Sequence, residues 1–131
     1  MRATHCFATE ARVRGWRRVG SYVRGWVVYD VCITTRRVRV NEGTLTQKGI
    51  VCRTYKRYNA FRELRRQLLD EAPLHSAQLP PLPAASVGMW HKYMPAFLEE
   101  RRRGLQQWLR TTLLDPRWGG THAYARWVLE K

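Results

Sequence analysis

The spacing of apolar residues changes at Tyr58, and this change constrains the fold of the 131-residue chain more than any other feature. Up to Tyr58 lie three segments with the Val, Tyr, Trp, Ile and Thr content of β-strands: VRGWRRVG, YVRGWVVYDVCITT and GIVCRTYKRY. Beyond it, apolar residues recur at helical spacing from Phe61 to about Glu71. No helix separates the three strands, so we expect them to pair as an antiparallel meander.

The chain beyond the first helix is predicted to form two more helices after a long connection. Asn59 is the predicted N-cap of the first helix. A proline-rich connection of about twenty residues follows it. The second long helix is expected to begin near Pro95 and to stop at Asp115. A short last helix is expected to be capped by Thr121.

This order of elements predicts the α+β class. We expect a three-stranded antiparallel sheet packed against a helical subdomain, with a long proline-rich loop between the first two long helices. The sequence contains no internal repeat, low-complexity tract or domain boundary, so residues 1–131 are predicted to form a single domain. Residues 1 to about 10 are expected to be weakly ordered, and VNEGTLTQKG is expected to supply turns.

The charge balance points to an anionic partner. Twenty-four Lys and Arg residues face ten Asp and Glu residues, which gives a net charge of +14. Such an excess indicates nucleic acid, an anionic membrane or an acidic protein, and composition does not choose among them. The longest apolar stretches are shorter than the roughly 20 residues that a membrane span needs. Any membrane contact is therefore expected to be peripheral.

Catalytic and metal-binding motifs are absent from the sequence. The three cysteines form no CxxC pair and no metal-ligand spacing with the four histidines, which indicates free thiols in a reducing, intracellular setting. There is no nucleophile–base pair, no pair of catalytic carboxylates, no HExxH site and no phosphate loop. The chain is therefore not expected to be an enzyme, and no cofactor or metal is predicted. Asp30 is expected to pair with a nearby arginine.

The segment FLEERRRGLQQWL, 97–109, places an arginine on an apolar helical stripe. Arg101 lies three residues after Leu98 and shares its side of the helix. An arginine aimed inward keeps its proton and therefore needs an anion beside it. Glu99 and Glu100 point to other sides of the helix, which leaves that anion unidentified.

The segment TYKRYNAF, 54–61, offers a second candidate for anion binding. Arg57 ends the third strand and Tyr58 follows, so forked guanidinium donors lie next to a flat ring on which a sugar-like ring could rest. On spacing alone, a surface salt bridge for Arg57 and a core position for Tyr58 explain the segment slightly better. Arg101 shifts the balance. Two arginines on different elements are better explained by a shared phosphate ligand than by ion pairs with the chain's few acidic residues.

The loop segment VGMWHKYM, 87–94, concentrates large apolar side chains beside a lysine. Two interpretations are open: the aromatic residues pack onto the core, or the segment inserts into a membrane interface while Lys92 meets anionic lipid. The candidate membrane-inserting residues are Val87, Met89, Trp90 and Tyr93.

The motif KRYNAF, followed by PPLP and then by FLEERRRGLQQWL, resembles the phox-homology (PX) domain. That family is a phosphoinositide-binding fold of sorting nexins and related proteins. The resemblance covers about residues 10–131 and rests on three motifs in the expected order. It implies a three-stranded antiparallel sheet packed on helices, with a proline-rich loop between the first two long helices. The loop and its continuation are most similar to fungal PX proteins of the Ypt35-related type, which act on endosomes and vacuoles.

The PX resemblance implies a role for each of three residues. Arg57 would bind the 3-phosphate of the lipid headgroup, Tyr58 would stack beneath the inositol ring, and Arg101 would bind the 4- and 5-hydroxyls. The anion beside Arg101 would then arrive with the ligand.

One departure from the family pattern concerns the 1-phosphate. PX domains usually carry a Lys directly after the PPxP turn, whereas here Ala84, Ala85 and Ser86 follow PPLP. Either Lys92 or His91 takes over that contact, or the contact is lost. A charge-assisted contact contributes roughly 1.5–3 kcal/mol, so its loss would weaken binding about ten- to a hundredfold.

Three functional hypotheses follow. The leading one is a non-catalytic module that reads phosphatidylinositol 3-phosphate and places its host protein in the cytoplasm, peripherally associated with endosomal or vacuolar membranes. The alternative is a PX-fold adaptor with weakened lipid binding, which docks a protein partner through PPLP or a sheet edge. Nucleic-acid binding has the least support, because the sequence has no recognition helix or base-stacking motif.

Overall fold

A computed structural model describes six stretches of the chain, 8–21, 24–35, 38–41, 44–47, 51–83 and 94–130. The strands within them are β1 (Ala8–Val19), β2 (Trp26–Thr35), β3 (Val38–Asn41), β4 (Thr44–Gln47) and β5 (Val51–Arg57). The helices are α1 (Tyr58–Glu71), a 3-10 helix (Pro73–Gln78), α2 (Pro95–Leu113), α3 (Pro116–Gly119) and α4 (His122–Leu129).

The main sheet is a three-stranded antiparallel meander in the order β1-β2-β5. Its inner face carries Val13, Val31 and Ile33, all fully buried against the helices. Strand alternation turns every second residue of β5 outward, so that Arg53 and Arg57 are exposed. The predicted α+β class and the antiparallel pairing are confirmed.

Two local details before Tyr58 differ from the predictions. The segment VNEGTLTQKG, 40–49, predicted to supply turns, contains the last two residues of β3 and the whole of β4, and these strands pair with each other as a separate two-stranded sheet. The predicted weakly ordered segment extended to about residue 10, yet β1 begins at Ala8. Ala8 pairs with Thr35 and is almost fully buried, as is Ala11, so this end of β1 is part of the core. Residues 1–7 lie outside the described stretches.

The helix boundaries follow the predicted signals except at the start of α1. Pro95 occupies the first turn of α2, and the side chain of Thr121 accepts a bond from a backbone N–H of α4, as expected. Asn59 is not the N-cap of α1. Arg57 holds that position with extended dihedrals, φ −77° and ψ 161°, because β5 runs directly into the helix and Tyr58 is already helical.

The core is built where α1 and α4 meet the sheet. Phe61 lies between two aromatic rings, with its centroid 6.4 Å from that of Tyr29 and 5.1 Å from that of Trp127. At the end of α1, the Glu71 carboxylate accepts from the backbone N–H groups of His122 at 2.6 Å and Ala123 at 3.0 Å. Helix N-terminal N–H groups lack partners within their helix, so this carboxylate stabilises the start of α4.

Helix α2 covers the outer edge of β1 with three side chains spaced four residues apart. Arg102 Nη1 donates to the Val13 carbonyl at 2.7 Å, and the Val13 N–H donates to Gln106 Oε1 at 3.1 Å. Arg110 Nε donates to the Ala11 carbonyl at 2.9 Å. An uncovered edge strand presents unpaired backbone groups. Here side chains on one face of α2 form hydrogen bonds with those of Ala11 and Val13. The contact also fixes the position of α2 relative to the sheet.

A buried hydroxyl pair between α2 and α4 yields a stability prediction. The hydroxyls of Thr112 and Tyr124 are hydrogen bonded in the core, and burial raises the pKa of Tyr124. Thr112→Val would leave the Tyr124 hydroxyl buried without this partner, so we expect the free energy of unfolding to fall by about 1–3 kcal/mol. Urea unfolding followed by tryptophan fluorescence measures the change.

The matched variants are Tyr124→Phe and the double variant. Tyr124→Phe should cost about 1 kcal/mol or less, because Thr112 retains its bond to the Trp108 carbonyl at 3.0 Å. In the Tyr124→Phe background, Thr112→Val should lose most of its effect. An equal cost in both backgrounds would show that the hydroxyl pair does not stabilise the fold.

Candidate functional site

Arg101 and Tyr58 meet where β5 runs into α1. The guanidinium carbon of Arg101 lies 4.0 Å from the centroid of the Tyr58 ring and 4.6 Å from that of the Phe97 ring. These are cation–π distances, at which the negative ring faces attract the cation. The structure therefore brings together two of the predicted site residues and holds the half-buried arginine between aromatic rings.

Tyr58 is fixed at its far end as well. Its hydroxyl donates to the backbone carbonyl of Pro83, the last residue of PPLP. Arg101 also acts on Tyr29, a buried tyrosine of β2. Burial raises the pKa of Tyr29, and the charge of Arg101 opposes that rise. Arg101 thus lies among three aromatic side chains from β2, α1 and α2.

Arg57 lies on the exposed side of the same junction. Its guanidinium carbon is 5.2 Å from the centroid of the Trp26 ring. Sequence reasoning missed Trp26, although the strand register would have placed it: Val28 pairs with Arg57, and Trp26 lies two residues earlier on the same face of β2. Within the described residues Arg57 forms no ion pair with a carboxylate. Its charge therefore faces solvent beside an aromatic ring.

The residue before Arg57 has a different role. Lys56 points inward, where its amine donates to the Glu130 carbonyl at 2.8 Å and lies 4.9 Å from the centroid of the Trp127 ring. Burial lowers the pKa of this lysine. Because side chains alternate along a strand, Lys56 contacts the end of α4 whereas the adjacent Arg57 faces outward.

The PPLP segment, 80–83, is held against the domain at both ends. The Pro80 carbonyl accepts from Arg65 Nε at 3.0 Å and from Trp108 Nε1 at 2.9 Å. At the other end, the Pro83 ring lies so close to α2 that a Cβ on Gly104 would stand 2.6 Å from Pro83 Cγ. The absent side chain at Gly104 therefore lets the segment reach Tyr58.

Glu99, two residues before Arg101, has other partners. Glu99 pairs with Arg102 at 2.6 Å and with Arg103 at 3.2 Å. The hydrogen bond from Arg102 is the main reason that the pKa of Glu99 falls to about 2. The expectation that Glu99 points away from Arg101 is confirmed.

Several predicted site residues lie outside the described stretches. These are Val87, Met89, Trp90, Lys92 and Tyr93, and their roles stay predictions. Among the described residues, no helix has the length and apolar content that crossing a membrane requires.

The described residues include no group of three or more His, Cys, Asp or Glu side chains able to hold a metal ion. Cys32 and Cys52 are free thiols. Asp30 pairs with Arg53 at 3.3 Å, which confirms its predicted arginine partner.

The family of the chain follows from its sequence match. A family model for the PX domain matches residues 44–125, which is more than half of the chain. The chain belongs to the PX domain family and is a non-catalytic binding module.

A curated relative supports the Ypt35-related likeness. The chain is 40% identical over 77 residues to the endosomal/vacuolar adapter protein YPT35 of Meyerozyma guilliermondii. The match covers 57% of this chain and 51% of that protein, so the chain spans about half the length of the relative. The PX resemblance and the Ypt35-related likeness are both confirmed.

Two solved structures share the fold. A designed CISK-PX domain superposes with a TM-score of 0.71 at 16% identity, over 93% of this chain and all of that one. The mouse SNX19 PX domain with bound sulphate ion gives a TM-score of 0.66 at 16% identity, over 96% of this chain and 99% of that one. At such identity the likeness shows the fold alone.

The close approach at Gly104 yields a second prediction. Gly104→Ala adds a methyl group against the rigid Pro83 ring, and overpacking costs about 1–3 kcal/mol, more than the roughly 1 kcal/mol gained in helix propensity. We expect a lower free energy of unfolding, measured by urea denaturation. Gly15→Ala is the control, since nothing lies within 4 Å of a Cβ there. A Gly104→Ala variant more stable than the parent would contradict the packing.

The ion pair of Glu99 yields a third prediction, on pH. The folded-state pKa of Glu99 is about 2, below its ordinary value of 4.5. Its contribution to stability is therefore present above about pH 4.5 and is lost as the pH falls towards 2. Glu99→Gln should flatten this part of the stability profile, measured by urea unfolding at each pH. Glu100→Gln, which removes the neighbouring carboxylate, should leave the profile unchanged, and equal effects of both variants would contradict the assignment.

Proposed function

We propose that this PX domain binds phosphatidylinositol 3-phosphate and brings its host protein to endosomal or vacuolar membranes. The observation that carries the proposal is the packing of Arg101 on Tyr58 next to the solvent-facing Arg57. Phosphate groups bind forked guanidinium donors more specifically than they bind ammonium groups. Two arginines on different elements can therefore contact one headgroup from two sides.

The residues of the proposed site have different roles in binding the headgroup. Arg57 has no carboxylate partner among the described residues and is exposed, so it can take the 3-phosphate without breaking an ion pair. Arg101 is positioned by Tyr58 and Phe97 and can donate to the ring hydroxyls. A site whose side chains are already held in place loses little conformational entropy on binding. The Tyr58 ring supplies the flat surface for the inositol.

The destination of the host protein is proposed from the relative. The matched protein is named an endosomal/vacuolar adapter, and we extend that destination to this chain. The word adapter also supports a protein partner. Docking through PPLP has less support, because the Pro80 and Pro83 carbonyls are bonded within the domain.

The loop 84–93 completes the proposed membrane contact. Lys92 is our candidate for the 1-phosphate contact that Ala84, Ala85 and Ser86 cannot make. Trp90 and Tyr93, with Val87 and Met89, are the side chains proposed to enter the membrane interface, where amphipathic aromatic rings are favoured.

Liposome co-sedimentation of charge-matched variants tests the site. Arg57→Ala and Arg101→Ala should each weaken binding to vesicles containing phosphatidylinositol 3-phosphate about ten- to a hundredfold. Arg117→Ala is the control, because it removes the same charge from α3. Arg117 lies beyond the end of α2, and that end is about 18 Å along the helix axis from Arg101. It should retain binding within about twofold, because it lies outside the proposed site.

Circular dichroism and the thermal unfolding midpoint establish that each variant is folded. Equal losses of binding in all three variants would show that general surface charge, and not the proposed pocket, accounts for the binding. Unchanged binding in folded Arg57→Ala and Arg101→Ala would exclude the proposed pocket.

A further inference from the structure

The outward face of the main sheet carries a cluster of arginines that the proposed headgroup site does not use. Register turns four exposed arginines to this side, Arg12 and Arg17 on β1 and Arg53 and Arg57 on β5, and a fifth, Arg14, is exposed beside them at the irregularity of β1 between Val13 and Gly15. We call this surface the arginine face. Only Arg57, at one end of it, belongs to the headgroup site.

Four of these arginines stand at the corners of a rectangle. One row across the sheet is Arg12–Cys32–Arg53, and the other is Arg17–Val28–Arg57. Two strand spacings separate the two arginines of a row by about 10 Å, and four residues along β5 separate the rows by about 13 Å.

Carboxylates neutralise only part of this charge. Among the described outward positions of the sheet, the acids are Glu10 and Asp30. Glu10 pairs with Arg110 of α2 at 3.1 Å and also attracts Arg12. Asp30 pairs with Arg53 at 3.3 Å. Five arginines against two acids, one of them shared with α2, leave the arginine face strongly positive.

The middle of the rectangle is shallow and partly apolar. The row between the arginines is Gly15–Asp30–Tyr55. A Cβ on Gly15 would meet nothing within 4 Å, so the surface is low at that point. Tyr55 is 49% exposed, and the guanidinium carbon of Arg17 lies 4.8 Å from the centroid of its ring. The ring orients a basic group beside a surface that an extended chain can lie along.

We propose that the arginine face docks an acidic, extended polypeptide segment of a partner protein. Extended chain advances about 3.3 Å per residue, so acidic side chains four residues apart span the roughly 13 Å between the two rows. The occupant is thus a segment with paired acids at this spacing and small residues between them, which fit over Gly15. Charge complementarity of this kind favours association and fixes the register.

The position of the face favours a peptide over a membrane. This step rests on the proposed function, which puts the lipid headgroup at the Arg57 end of the sheet. Arg12 and Arg53 then lie about 13 Å along the strands from that end. That distance exceeds the screening length of about 8 Å at physiological salt, so these two arginines attract a headgroup bound at Arg57 only weakly.

A synthetic peptide tests the proposal. The probe is a fluorescent ten-residue Gly/Ser peptide with glutamates at positions 3, 4, 7 and 8, and fluorescence anisotropy follows its binding. The same peptide with glutamines is the matched control. Arg12→Gln/Arg53→Gln should weaken binding about tenfold, whereas Arg117→Gln/Arg126→Gln, with the same charge change, should leave it within about twofold.

Liposome binding separates this proposal from the proposed function. Arg12→Gln/Arg53→Gln should retain binding to phosphatidylinositol 3-phosphate vesicles, because both residues lie in the row away from the headgroup site. Equal losses in both double variants, or equal binding of the glutamine peptide, would overturn the proposal. A loss of vesicle binding in Arg12→Gln/Arg53→Gln would show that the face contacts the membrane. Tighter binding of a single-stranded oligonucleotide than of the peptide would show that it binds nucleic acid.

Discussion

Tyr58 connects the three parts of the molecule that the proposed site requires. Its backbone begins α1 directly after β5, its hydroxyl holds the Pro83 carbonyl, and its ring packs on Arg101 of α2. Because each contact comes from a different part of the chain, the position of Arg101 depends on the folded domain rather than on local sequence. Gly104 supports the arrangement by letting Pro83 approach α2 closely. The guanidinium of Arg101, which the sequence places on an apolar stripe of the helix, thus packs against aromatic rings.

One face of helix α2 stabilises the fold, and another contributes Arg101 to the proposed site. Arg102, Gln106 and Arg110 bond to the edge of β1, which locks the helix to the sheet. Arg101 is adjacent to Arg102 in sequence but points towards Tyr58. A binding residue placed on a helix that is itself fixed by backbone bonds is held more accurately than one on a loop. The contacts that stabilise the fold thereby also position the proposed headgroup ligand.

Predictions from the sequence succeeded where a local signal determines the structure. The content of β-forming residues identified the three main strands, and Pro95 and Thr121 marked the starts of α2 and α4 correctly. The prediction of Asn59 as N-cap failed because the transition from strand to helix is set by tertiary packing of Tyr58, not by a capping side chain. Trp26 could not be linked to Arg57 from composition alone, since the link depends on the register between β2 and β5. The same holds for the arginine face, whose rows exist only once three strands are paired.

The most direct test of the account is an NMR titration with a soluble short-chain phosphatidylinositol 3-phosphate. The side-chain Nε–H signals of the arginines report where the headgroup binds. The account predicts saturable shifts for Arg57 and Arg101, with Arg12, Arg53 and Arg117 little changed. Shifts spread evenly over the exposed arginines, or none at Arg57 and Arg101, would contradict it.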